Sequence, residues 1–183
     1  MAIKKWEKLS SEYLFERPWL TVRRDTVKLP NGTVHNEYYV LEYPEWVNVI
    51  AEDTEGRLII EQQYRYALGE VSTEICAGVA EKGEDVLAAA QRELWEETGY
   101  EGGEWHKLMT IAPNPGSMTN RCHCFVAKGV QRVDSQHLDA TEDIEFFLKS
   151  KREVYDMLCR GDFHQAMMIA PLWKYFKDYD PQR

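Results

Sequence analysis

The stretch GVAEKGEDVLAAAQRELWEETGY, residues 78–100, decides the fold because it specifies one helix with sharply defined ends. Asp85 to Thr98 is predicted to be helical, since acidic residues favour the N-terminal end and three consecutive alanines are strong helix formers. Gly99 suits the left-handed backbone conformation that ends many helices. An apolar stripe recurs at helical spacing and is expected to face the hydrophobic core: Leu87, Ala90 and Leu94.

Three glutamates crowd the last turns of this helix. Glu93 and Glu97 are four residues apart, so they lie one above the other, with Glu96 beside them. Like charges at this spacing destabilise a helix by roughly 0.2–0.5 kcal/mol, and the negative end of the helix dipole disfavours them further. A solvated acidic face is the plain alternative. A hard divalent cation such as Mg²⁺, which prefers carboxylate oxygens, explains the cluster better.

The spacing of these residues adds a more specific signal. Gly78 is followed after five residues by Glu84, and after seven more by the run RELWEETGY, residues 92–100. This pattern resembles the Nudix box, the signature of the Nudix hydrolase family. Every fixed position matches, although Tyr100 is aromatic where an aliphatic residue is usual. Agreement by chance in a chain of this length is on the order of one in a million.

The resemblance implies a divalent metal site. Nudix proteins use this loop–helix–loop to bind Mg²⁺, with Mn²⁺ as the alternative ion, and to hydrolyse a nucleoside diphosphate linked to another group. The implied metal ligands are Glu93, Glu96, Glu97 and the backbone carbonyl of Ala77. The chemistry agrees, because a divalent ion screens the charge of a diphosphate and lowers the pKa of bound water.

The remaining positions of the box have supporting roles by the same resemblance. Arg92 would pair with Glu84 to orient the helix, and we count Arg92, Glu96 and Glu97 among the candidate catalytic residues. An ordinary surface ion pair is the alternative for Arg92. Gly78 and Gly99 would set the geometry of the two loops that flank the helix.

Residues upstream of the box narrow the resemblance. The runs EQQYRY, residues 61–66, and EICAG, residues 74–78, are similar to motifs of ADP-ribose pyrophosphatases and related nucleoside diphosphate sugar hydrolases. By that similarity Arg65 would contact a substrate phosphate, and Glu74 would contact the substrate or a neighbouring loop. A surface residue at a strand edge is the alternative for Arg65.

Downstream residues agree with this subgroup in part. Pro115 lies about fifteen residues after the box, where a proline marks the ADP-ribose subgroup. The glutamate that often follows is absent, and Arg121 lies there instead, facing either a phosphate or a salt-bridge partner. Glu142 in ATEDI, residues 140–144, resembles the family's loop glutamate and is our candidate for general base or further metal ligand, against a solvated loop acid.

The N-terminal region predicts a β-hairpin. Residues 19–29 and 33–43 are strand-like and flank the turn Pro30-Asn31-Gly32. In similar proteins this appendage is exchanged between the subunits of a homodimer and helps to wall the active site. Tyr39 and Trp46 are candidates for stacking on a nucleobase, although aromatic residues of strands more commonly pack.

Composition limits the partners and the location. The chain has 183 residues and a net charge of −9, which disfavours nucleic acid and anionic membranes. No secretory signal or membrane span is expected. The four cysteines are too sparse for a disulfide scaffold, and the isolated Cys122-x-Cys124 pair lacks zinc-site spacing, so buried thiols and a cytoplasmic location are predicted.

The whole pattern predicts an α/β protein with a Nudix fold: a mixed β-sheet sandwiched between helices (α/β/α), with the N-terminal β-hairpin as an appendage. We expect residues 1–45 to form a dimerising segment and residues 46–183 the hydrolase domain. Further strands are predicted at 46–51, 57–64, 74–77, 108–111, 122–128 and 144–148, and helices at 150–159 and 164–179.

The function predicted from the sequence is Mg²⁺-dependent hydrolysis of the diphosphate bond of a nucleoside diphosphate sugar, ADP-ribose or a related compound. Hydrolysis of dinucleoside polyphosphates is an alternative, which the Pro115 loop and the hairpin disfavour. A catalytically silent ligand-sensing domain is another, which the intact box glutamates and the net charge disfavour.

Overall fold

The computed structural model describes residues 2–180, and it divides the chain into two compact units. The first unit runs up to Pro44 and includes Ala112–Asn120. It contains a three-stranded antiparallel sheet of β1 (Glu7–Arg17), β2 (Leu20–Lys28) and β3 (Val34–Glu42).

The predicted hairpin is confirmed as β2 and β3. Their turn closes where the Leu29 N–H donates to the Thr33 carbonyl over 2.8 Å, and Gly32 adopts a φ of 90°. The returning segment lies against β3, where the Leu41 N–H donates to the Ser117 carbonyl over 2.7 Å. The sequence did not predict β1, because all of its residues are exposed and its apolar residues do not alternate.

The second unit holds Glu45–Ile111 and, among the described residues, 121–180. Its eight strands are β4 (Trp46–Asp53), β5 (Arg57–Arg65), β6 (Glu70–Glu74), β7 (Cys76–Val79), β8 (Tyr100–Glu101), β9 (Glu104–Ile111), β10 (Cys122–Arg132) and β11 (Ile144–Ser150). They form one sheet with the order β11-β5-β4-β10-β8, with β6 on β5, β7 on β4 and β9 on β10. Only β4 and β10 pair in parallel among these described strands, so the sheet is mixed as predicted.

Helices cover both faces of this sheet and make two cores. The helices are α1 (Val86–Thr98), α2 (Lys151–Arg160) and α3 (Ala166–Tyr179). Alternation along β10 places Cys122 and Cys124 in the core beneath α2 and α3, and Phe125 in the core beneath α1. The predicted α/β/α sandwich is therefore confirmed, and so are the buried free thiols of β10.

Several element boundaries differ from the prediction. Strand β9 begins at Glu104 rather than at Leu108, and β10 ends at Arg132 rather than at Lys128. The single strand predicted at 74–77 is wrong: Glu74 ends β6, which pairs with β5, and Cys76 begins β7, which pairs with β4. The last helix begins at Ala166 rather than at His164. No helix within residues 2–180 has the length and apolar character needed to cross a bilayer.

Candidate active site

Helix α1 has the ends that its sequence predicts. The side chain of Asp85 caps it by accepting hydrogen bonds from the Leu87 and Ala88 N–H groups, over 3.0 and 3.1 Å. Gly99 ends the helix in the left-handed region at a φ of 74°, and its N–H donates to the Trp95 carbonyl. A Cβ at Gly99 would also overlap the Asp134 carbonyl oxygen, so two constraints require glycine there.

The edge of β7 contacts two box glutamates directly. The Val79 N–H donates to Glu93 Oε1 over 3.1 Å, and the Ala77 N–H donates to Glu97 Oε2 over 3.2 Å. Gly78 lies between Ala77 and Val79, and its lack of a side chain leaves space for the Glu93 carboxylate. A Cβ at this position would overlap the carboxylate. The glycine that begins the box thus permits a glutamate on the helix to approach the strand backbone.

Arg92 neutralises the outer part of the acidic helix. Its guanidinium donates to both oxygens of Glu84 over 3.0 Å, to Glu93 over 3.0 Å and to Glu96 over 2.8 Å. It also donates to the Val79 carbonyl over 2.9 Å, which ties the helix to β7. Hydrogen bonding by Arg92 lowers the pKa of Glu84. These four groups, Arg92 with Glu84, Glu93 and Glu96, are called the outer cluster.

Glu97 has a different environment, because it is 3% exposed and Arg92 does not contact it. Burial raises its pKa to about 8, and the charges of Glu93 and Glu142 act in the same direction, against hydrogen bonding from Cys76 and the Ala77 backbone. Burial, opposed by Arg92, also raises the pKa of Glu93. Carboxyl groups held this way bind a proton or a cation readily.

The loop between β10 and β11, residues 133–143, contacts the C-terminal end of α1. The Gln136 side chain donates to the Glu97 carbonyl over 2.7 Å and to the Ile144 carbonyl over 3.0 Å. His137 stacks on Trp95 with ring centroids 4.2 Å apart. The His137 N–H also donates to the Glu96 carbonyl over 2.7 Å, so the loop satisfies two carbonyls at the end of the helix that would otherwise lack partners. The sequence analysis missed Gln136 and His137, since neither stands at a motif position.

The same loop carries Glu142. Its carboxylate accepts a hydrogen bond from the Asp139 N–H over 2.9 Å, and its own N–H donates to the Asp139 carbonyl. Glu142 is exposed, and its charge contributes to the raised pKa of Glu97. The loop therefore holds a solvated carboxylate near the buried one.

Arg65 and Glu74 form one unit across β5 and β6. Arg65 donates through two nitrogens to the two oxygens of Glu74, over 2.8 and 2.5 Å. Gln165, which precedes α3, donates to Glu74 as well. Glu74 is fully buried, whereas the Arg65 side chain is 38% exposed. The buried Glu74 thus fixes the position of the Arg65 guanidinium. Contact between Arg65 and a substrate stays a prediction.

The other predicted substrate residues are dispersed. Trp46 in β4 is half-buried and packs against the core beneath α2 and α3. Arg121 is exposed at the start of β10, where its carbonyl accepts from the Trp46 N–H over 2.8 Å. Tyr39 and Pro115 are exposed and belong to the first unit. Their contacts with a substrate stay predictions.

The residues present fit a divalent cation. The carboxylates of Glu93, Glu96 and Glu97 lie on one face of α1, beside the β7 backbone that includes Ala77. They form an oxygen-rich donor set of the kind that Mg²⁺ and Mn²⁺ bind.

Comparison with known proteins agrees with this arrangement. Residues 43–154 match the NUDIX domain, and residues 6–41 match the nucleoside diphosphate sugar hydrolase N-terminal domain. The NUDIX match covers more than half of the chain. The protein therefore belongs to the Nudix hydrolase family and is a hydrolase that acts on phosphoanhydride bonds.

Individual relatives cover most of the chain. A methanol dehydrogenase activator of Bacillus methanolicus is 34% identical over 81% of this chain and 85% of its own length. An ADP-ribose pyrophosphatase of Bacillus subtilis is 32% identical with the same coverage, and one of Mycobacterium tuberculosis is 31% identical over 93% of this chain and 83% of its own. A crystal structure described as an ADP compounds hydrolase has the same fold, with a TM-score of 0.86, 22% identity and coverage of 100% and 98%.

Proposed function

We propose that this enzyme hydrolyses the diphosphate bond of a nucleoside diphosphate sugar, ADP-ribose or a related compound, to a nucleoside monophosphate and a sugar phosphate. Two relatives that match more than 80% of this chain, at 32% and 31% identity, are named ADP-ribose pyrophosphatases. The observation that carries the proposal is the buried Glu97, which lies beside Glu93 without a bonded arginine of its own. A metal-bound diphosphate would complete that site.

The proposed cofactor is Mg²⁺, with Mn²⁺ as the alternative. Glu93, Glu96, Glu97 and the Ala77 carbonyl would hold it. When bound, the ion would screen the charge of the diphosphate and lower the pKa of coordinated water. Arg92 would not bind substrate in this scheme, because its donors already hold Glu84, Glu93, Glu96 and the Val79 carbonyl.

Two further side chains would act on the substrate. Arg65 would approach a phosphate oxygen, and Glu74 would hold its guanidinium in place from below. Glu142 would accept the proton of the water that attacks phosphorus, as the bridging P–O bond breaks. Its solvated position suits this role, because the proton can then pass to bulk water.

We further propose that the enzyme acts as a cytoplasmic homodimer. The first unit matches the N-terminal domain of nucleoside diphosphate sugar hydrolases, and β1 is exposed along its whole length. Large apolar residues are exposed on that strand: Leu9, Tyr13, Leu14 and Phe15. A partner subunit would cover them. Tyr39, Trp46, Pro115 and Arg121 each remain a candidate for contact with the substrate.

A substrate panel with product analysis tests the proposed reaction. The full chain is incubated with Mg²⁺ and ADP-ribose, GDP-mannose, other nucleoside diphosphate sugars and diadenosine polyphosphates, and the products are separated. We expect a nucleoside monophosphate and a sugar phosphate from one of the sugars, and no turnover with a chelator. Preference for diadenosine polyphosphates would replace this proposal with the alternative, and inertness toward the whole panel would favour a ligand sensor.

A further inference from the structure

A second group of side chains, of types that can bind a metal, lies in the core beneath α1. Glu61, Cys76 and Glu97 are buried, and each offers a ligand atom within 4.8 Å of the others. Glu97 alone belongs to the Nudix box. These three residues are called the inner cluster.

Strand geometry explains how a glutamate reaches this position. Glu61 follows the buried run Leu58-Ile59-Ile60 in β5. Successive side chains of a strand alternate between faces, so Glu61 lies on the same face as Ile59, in the core beneath α1. Cys76 of β7 packs in that core as well. An apolar residue would be expected at position 61 if packing were its only role.

The carboxylate of Glu61 is buried without a hydrogen-bond partner among the described residues. Its exposure is 0%, and neither of its oxygens has a hydrogen-bond partner among the described residues. Burying an unpaired carboxylate costs several kcal/mol in effective terms, about as much as a single core side chain contributes. Cys76 and Glu97 each have a ligand atom within 4.8 Å of this carboxylate, and both side chains are of types that can bind a metal.

The arginines of the site do not supply the missing charge. Arg92 is bonded to the outer cluster, and Arg65 is bonded to Glu74. Arg65 acts on Glu61 only through space. Burial and the charge of Glu97 raise the pKa of Glu61 well above its usual range, so a proton neutralises this carboxyl in the free protein. A cation from outside the chain can take the place of that proton.

We propose that Glu61, Cys76 and Glu97 bind a divalent cation of borderline softness, such as Zn²⁺ or Co²⁺, at an inner position separate from the Mg²⁺ position. The two positions share only Glu97. A thiolate ligand selects for this class of ion, since Mg²⁺ prefers oxygen. On binding, the Cys76 thiol gives its proton to solvent as the sulfur–metal bond forms. Three protein ligands leave one position of a tetrahedral ion for water.

The experiment is a titration of the full chain with Co²⁺, read by sulfur-to-cobalt charge-transfer absorption in the near ultraviolet. It is done in a Cys159→Ser background, because Cys159 is the exposed thiol. We expect a band that saturates at about one equivalent of Co²⁺. Cys76→Ser should abolish it, and Glu61→Gln should weaken cobalt binding at least about tenfold. Cys124→Ser is the matched control, because Cys124 is a buried free thiol outside the inner cluster, and it should keep the band.

A competition experiment uses the Cys159→Ser chain, which keeps Glu61 and Cys76, so its result does not depend on whether the other variants fold. An equal concentration of Zn²⁺ should remove the cobalt band, and the same concentration of Mg²⁺ should leave it. Absence of the band, its survival in Cys76→Ser or its removal by Mg²⁺ would each overturn the inner site. The cobalt band does not depend on turnover, so failure of the proposed hydrolysis would leave this result intact, and the reverse also holds.

Discussion

The outer and inner clusters use the same kind of acid in opposite ways. In the outer cluster Arg92 contacts Glu84, Glu93 and Glu96, so each of these carboxylates has a cation from the chain itself. In the inner cluster Glu61 and Glu97 are more deeply buried and bond to no arginine among the contacts described. The outer acids thus have a counter-charge within the chain, whereas the inner acids do not.

This difference separates carboxylates that an arginine of the chain neutralises from carboxylates that bond to no arginine. A buried acid that is fully paired holds two elements together, and removing its partner leaves an uncompensated charge. A buried acid without a partner reduces the stability of the free protein, and its oxygens are free to bind a cation. The two clusters should therefore respond to substitution with opposite signs.

The largest expected effect is on turnover. Glu97→Gln should lower kcat on the preferred substrate about a thousandfold, because one metal ligand loses its charge. Without metal, its circular dichroism spectrum should match that of the natural chain, and its melting temperature should be equal or higher. Glu101→Gln, an exposed acid of β8, is the control and should keep full turnover. Near-normal turnover by Glu97→Gln would show that the proposed Mg²⁺ site does not need this carboxylate.

The next effect is on stability and belongs to the outer cluster. Arg92→Ala should lower the free energy of unfolding by about 2–3 kcal/mol, because Glu93 would remain buried without its cation. Urea denaturation in chelator measures this change. Arg152→Ala removes an exposed pair with Asp156 and should cost at most about 0.5 kcal/mol. Equal effects from both variants would mean that the outer cluster is an ordinary surface ion pair.

The smallest expected effect has the opposite sign. Glu61→Gln should raise the free energy of unfolding by about 1 kcal/mol in chelator, because it removes an unpaired buried carboxylate. Its control is Glu74→Gln, the cross-strand neighbour of Glu61, which is equally buried but bonded to Arg65 and Gln165. That variant should be less stable than the natural chain by about 2 kcal/mol. A loss of stability in Glu61→Gln would show that a partner holds Glu61 in the free protein.

The helices and the central strands could be predicted from local patterns. Helix α1 lies within one residue of its prediction, because its capping residue, its alanines and its terminal glycine all act locally. The turn at Gly32 was likewise predictable from its own residues. Strand β1 could not be predicted, since an exposed strand has no alternating pattern, and the division between β6 and β7 depends on which strand each one pairs with.

By itself, the sequence determined the spacing of the box, the shared helix face of Glu93 and Glu97, the family and the class of reaction. Helical geometry relates residues four apart, so these properties follow from order along the chain. Tertiary structure alone decided which acids are paired, because Glu61, Cys76 and Glu97 come from two strands and a helix. Burial and the position of a counter-charge depend on which elements pack together, and no local pattern records them.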